Sequence, residues 1–180
     1  YAIAAFGSPQ FLGVFSFALD LAQRSVGVVI NIASFAIIPR AYMTSAKGND
    51  LMFRKMLMRG AVGAGGLSAI VFVAIFVLEY FGMVARYLGE NFDHAAFVAV
   101  SAAVVINRLK KLSVDPVLVS QGIIRAIPLA YLVVGPLSLL SMTGLLLWGA
   151  EAFVLVAYPM SYLLIAALTF AALRIALANR

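Results

Sequence analysis

Between Ala61 and Phe81 only Ser68, Glu79 and glycines interrupt an apolar run. About 17–25 such residues cross the hydrocarbon layer of a bilayer as one helix. Phe11–Ile38, Val117–Leu140 and Leu145–Leu173 also have that length. Of the 180 residues, 64% are hydrophobic and 11% charged, against roughly half and a quarter in soluble domains. A globule this small has too little interior to hide that much apolar surface. A soluble enzyme, a nucleic-acid binder and a disordered segment are excluded.

A fifth run is weaker. Ala95–Ile106 is too short to span, but a helix over 92–112 reaches the length if Arg108, Lys110 and Lys111 snorkel to the headgroups. Charge placement supports it. With five spans at 11–38, 61–81, 92–112, 117–140 and 145–173, ten of the 13 Lys and Arg residues fall on one face. They are Arg40, Lys47, Arg54, Lys55 and Arg59; Arg108, Lys110 and Lys111; and Arg174 and Arg180. The opposite face keeps Arg86, in the connection 82–94, and the connection 138–144 has none. Cytoplasmic loops collect positive charge, so this face, with the C-terminus, is expected in the cytoplasm. Residues 48–59 form a basic amphipathic stretch expected to lie along the membrane surface before the second span.

The first span carries the functional signal. On a helical wheel centred on Asp20, Gly13, Ser16, Gln23, Arg24, Gly27, Asn31 and Ser34 share an arc of about 100°. The rest of the wheel is apolar except Ser25. A charge at the bilayer centre costs roughly 2.5–3.5 kcal/mol on insertion scales. This stripe must therefore face other helices or water. Either Asp20 and Arg24 pair four residues apart while the small residues admit a neighbouring helix, or the stripe lines a hydrophilic cavity. Arg125, one turn from Gln121 and expected inside the fourth span, either snorkels or adds positive potential to the same cavity. The candidate cavity residues are Ser16, Asp20, Gln23, Arg24, Asn31, Ser34, Gln121 and Arg125.

Glu151, Tyr158, Tyr162 and Thr169 share a face of the last span with Leu155 and Ile165, which reads as packing. Gly63, Gly65 and Gly66 permit close helix contact. There is no Cys, His94 is the single His, and no nucleotide motif is present. No catalytic centre, metal or cofactor is expected.

Phe6-Gly-Ser-Pro-Gln-Phe-Leu-Gly13 leads into the polar-faced helix bearing Asp20, Gln23 and Arg24, which ends at Ile38-Pro39-Arg40. A basic amphipathic stretch and another helix follow, with Asp115-Pro-Val-Leu and Gly149-Ala150 further on. This pattern resembles the oligosaccharide flippases of polysaccharide biosynthesis, in the multidrug/oligosaccharidyl-lipid/polysaccharide exporter superfamily. The resemblance implies an all-α membrane protein, with about five transmembrane helices forming most of one six-helix lobe. Residues 1–180 would be a fragment, and the N-terminal lobe of the same chain would be missing. It implies a bacterial cytoplasmic membrane and alternating access. The substrate would be a polyprenyl-diphosphate-linked saccharide for lipopolysaccharide or exopolysaccharide synthesis, in contact with membrane lipid. Arg24, and with it Arg125, would attract the diphosphate or acidic sugars. Asp20 would orient Arg24 or carry a coupling proton. A drug/cation antiporter of the same superfamily and a non-transporting membrane scaffold are the alternatives.

Overall fold

In a computed structural model, residues 5–84 and 92–178 are described. The expectations for residues 1–4, Arg86 and Arg180 lie outside them. The described residues form helices and turns without a strand. Helix α1 (Pro9–Ala22) passes through a π-helical turn (Gln23–Gly27) into α2 (Val28–Ala46). Then come α3 (Asp50–Tyr80), α4 (His94–Ser113), the short α5 (Asp115–Ser120), α6 (Ala126–Leu147) and α7 (Glu151–Ala178).

Local chemistry sets the helix starts. Ser8 accepts from the Phe11 N–H, and Pro9 opens α1 where no intrahelical donor is needed. Asn49 caps α3 through the Met52 N–H, and Asp93 caps α4 through the Ala96 N–H. The fifth expected helix therefore starts at His94 rather than Phe92.

Several boundaries differ from the sequence expectation. The first long helix runs through Pro39 to Ala46 rather than ending near the proline. Residues 50–59 are continuous with the following run. Together they make one 31-residue helix, about 46 Å long, rather than a separate surface helix. The expected span 117–140 is broken. Gly122 adopts φ 74° after α5, Ile123 N–H donates to the Leu118 carbonyl and Gly122 N–H to Val119. This is a Schellman closure, which favours glycine at its left-handed position. Helix α6 starts only at Ala126 and continues to Leu147, so residues 138–144 are helical rather than a connection. The same closure at Gly149 ends α6, and α7 begins at Glu151 rather than Leu145.

The helices form one bundle arranged around α4. Helix α4 packs against α1, the π turn, α2, α3 and α7, while α6 packs mainly against α7. Pro9–Ala46, Asp50–Tyr80, Ala126–Leu147 and Glu151–Ala178 are each long and apolar enough to cross a membrane. Helix α4 does not have that character alone, yet it is the central helix. Phe97, Val100 and Val104 join Phe15, Ala22, Val26 and Val154 in one core cluster. At the other end Ala41, Phe53, Leu57, Leu118 and Leu173 form a second. Outward-facing Phe35, Val62, Ile70, Leu132 and Leu140 leave a broad apolar exterior suited to lipid.

The turn at Gly122 gives a paired test. Gly122→Ala places a Cβ in a left-handed conformation and is expected to lose about 1 kcal/mol of stability. Gly135→Ala meets open space inside α6 and is expected to be neutral or slightly stabilising. Thermal unfolding of both variants in detergent checks the difference.

Candidate functional site

The π turn reorganises the polar stripe. An i→i+5 bond spends one extra residue, so positions beyond it lag a uniform wheel by about 100°. Up to the first residues of the turn the exposed positions include Gly13, Ser16, Asp20, Gln23 and Arg24. Beyond it they are Val28, Ile32, Phe35, Ala36, Pro39, Arg40, Met43 and Ala46. The outward face thus changes from polar to apolar as far as Pro39. Gly27 is buried, and Asn31 and Ser34 are half-buried. The expected stripe is therefore two surfaces. An open one runs about 12 Å from Ser16 to Arg24, and an inward one faces α4.

On the open surface, Arg24 Nε donates to Asp20 Oδ1 at 2.8 Å. The side chains of Arg24 and Asp20 are 79% and 60% exposed. No helix among the described residues covers them. The contact uses Nε, so both terminal guanidinium nitrogens point to no partner among the described residues.

On the inward surface the polar groups find partners. Arg108 Nη1 donates to Asn31 Oδ1 at 2.8 Å. Ser34 Oγ donates to the Ile30 carbonyl of its own helix. The buried Ser68 on α3 donates to the Val26 carbonyl at 3.3 Å, within the π turn. A Cβ at Gly27 would come within 3.2 Å of Val104 Cγ1, so glycine allows the approach of α4 there. In this arrangement Asn31 and Ser34 are half-buried and bonded to protein groups.

Arg125 and Gln121 lie in the break between α5 and α6, not inside a helix. Neighbouring Ile123 and Ala126 pack on the cluster containing Ala41. Ala41 is 17 residues beyond Arg24, about 25 Å along the helix. The Schellman turn moved Arg125 to the bundle end, so Arg125 and Gln121 do not join the Asp20–Arg24 surface.

The polar groups that sequence reading undervalued are on α4. Lys110, expected to snorkel, is 2% exposed and reaches both oxygens of Asp115 at 2.8 and 2.9 Å. Its Nζ lies 5.0 Å from the centroid of the Tyr131 ring. The Tyr131 hydroxyl donates to Asn107 Oδ1 at 2.9 Å, linking α6 to α4. Tyr158 and Tyr162 on α7 meet edge-on, with centroids 5.4 Å apart. Gln23, Asn107, Arg108, Tyr158 and Tyr162 line a recess of about 60 Å³ with Leu19, Ala103 and Val104. The five-residue spacing from Lys110 to Asp115, across Ser113 and before Pro116, was the one sequence signal of that pair.

The Lys110–Asp115 pair should be costly to halve. Lys110→Met is expected to lose about 2–3 kcal/mol. That lies below the roughly 3–5 kcal/mol typical of buried pairs, because Asp115 keeps 16% exposure. Lys110→Met combined with Asp115→Leu should recover most of the loss. Unfolding of the two single variants and the double variant measures the coupling.

Comparison with family models, curated proteins and solved structures finds no match.

Proposed function

We propose that this chain is one lobe of a transporter for anionic, lipid-linked saccharides in a bacterial cytoplasmic membrane. The surface from Ser16 to Arg24 would line a hydrated vestibule against a second lobe. The observation that carries this reading is the exposed Asp20–Arg24 pair on a helix long and apolar enough to span. Such a pair does not face hydrocarbon without large cost. Water or another protein surface must cover it.

The chemistry of Arg24 favours an anionic substrate. Its Nε is held by Asp20, so the two terminal nitrogens are oriented together. A guanidinium presented this way forks onto the oxygens of phosphate or carboxylate. Asp20 acts here as the positioning residue. The resemblance to oligosaccharide flippases supplies the saccharide and the polyprenyl diphosphate; composition does not. Alternating access would expose the vestibule to each side in turn. The basic residues Arg40, Lys47, Arg54, Lys55 and Lys111 support a cytoplasmic location for the end where α2 meets α3.

Two measurements on the full-length protein test this reading. Single cysteines at residues 16, 20 and 24 should react with a water-soluble thiol reagent, whereas cysteine in place of the buried Ala22 should stay protected. Uniform protection at 16, 20 and 24 would point to a dry, protein-covered face and a scaffold role. In cells, Arg24→Ala should cut delivery of lipid-linked sugar at least tenfold, with Arg24→Lys intermediate. Normal polymer output with lost drug efflux would instead favour an antiporter.

A further inference from the structure

Arg108 is a half-buried cation with no carboxylate paired to it among the described residues. The two ion pairs among them are Asp20–Arg24 and Lys110–Asp115. The one hydrogen bond that Arg108 makes to these residues goes to Asn31, a neutral acceptor. An uncompensated guanidinium inside a bundle of spanning helices is unfavourable. Either water or a counter-ion must meet it.

The recess beside Arg108 has a lining suited to a counter-ion. Its polar groups are the Gln23 and Asn107 amides, the Arg108 guanidinium and the Tyr158 and Tyr162 hydroxyls. No carboxylate is among them, and with the Tyr158 hydroxyl bonded to that of Tyr162, the other four offer donors to the recess. Asn107 Oδ1 already accepts from Tyr131, so the amide group it has left is the NH₂ donor. The volume of about 60 Å³ is several times the roughly 10–15 Å³ that one water needs. It holds a monatomic ion with a water or two and is too small for a diphosphate. Gln23 is exposed, so the recess opens beside Arg24 on the polar face of α1.

We infer that this recess is a binding site for a small monovalent anion of halide size, with Arg108 as its main charge. The anion neutralises Arg108 and ties the π turn to α4 and α7. The site is built within this chain's own helices, so it stands independently of the saccharide reading.

The test is the thermal stability of the full-length protein in detergent, with sodium chloride or bromide titrated against gluconate at constant ionic strength. Gluconate is too large for the recess. Chloride and bromide should each raise the melting temperature by several degrees in a saturable way. Arg108→Gln should lose the dependence. If that variant does not fold, Tyr162→Phe removes one donor more gently. It should raise half-saturating chloride about fivefold, read relative to its own melting in gluconate. Crystals grown in bromide should show anomalous density between Arg108 and the two tyrosines. Equal melting in chloride and gluconate, or bromide bound only elsewhere, overturns the inference. Inorganic pyrophosphate matching chloride in potency overturns the halide size.

Discussion

A charge inside hydrocarbon must be matched by groups the protein itself supplies, and α4 carries more of that burden than any other helix. Asn107, Arg108 and Lys110 lie within two turns of its C-terminal end. On a lipid-facing helix the two cations would have to snorkel to the headgroups. Surrounding α4 with α1, α2, α3 and α7 takes these residues out of lipid, and partners reach them from three directions. Asn31 comes from α2, Tyr131 from α6 and Asp115 from the adjoining α5. The apolar helices are free to face lipid because the central one does not.

The π turn is the second device on which the arrangement depends. Without it, one regular helix would present a single polar face from Gly13 to Ser34. With it, the first half keeps an open polar face and the second half turns Asn31 toward Arg108. Ser68 supports the altered backbone by donating to the Val26 carbonyl. Freed carbonyls in membrane helices are satisfied in this way by hydroxyls on neighbouring helices.

Much of the fold was legible in sequence because apolar run length is a local property. Of the run Ala61–Phe81 all but the capping Phe81 lies within α3, and the fifth helix followed from the distribution of charge. Features depending on one backbone residue were not legible. The break at Gly122 and the slip at Gln23–Gly27 shift everything after them, and neither leaves an apolar or charge signature. Arg125 was consequently assigned to a span, and Asn31 to an open stripe. The pairing of Asp20 with Arg24 was legible as one of two alternatives, because Arg24 is only the second residue of the turn and the four-residue spacing survives there. Lys110 was misread because snorkelling is the default for a lysine near a helix end, and Asp115 supplied a closer partner.

Gln23 and Arg24 are consecutive in the chain but serve different surfaces. Gln23 lines the recess bounded by α4 and α7, and Arg24 extends over the open face with Asp20. Both belong to the π turn. Relaxing that turn to regular α geometry would rotate α2 by about 100° relative to α1. Asn31 would leave Arg108, and Ser68 would lose the Val26 carbonyl. The contacts that hold the turn are therefore the same ones that keep Arg108 at the recess. Gln23 of the recess and Arg24 of the open face are thus held by the same five residues of backbone. A ligand that binds one arrangement of this turn more tightly than the other shifts the balance between them by that difference in affinity.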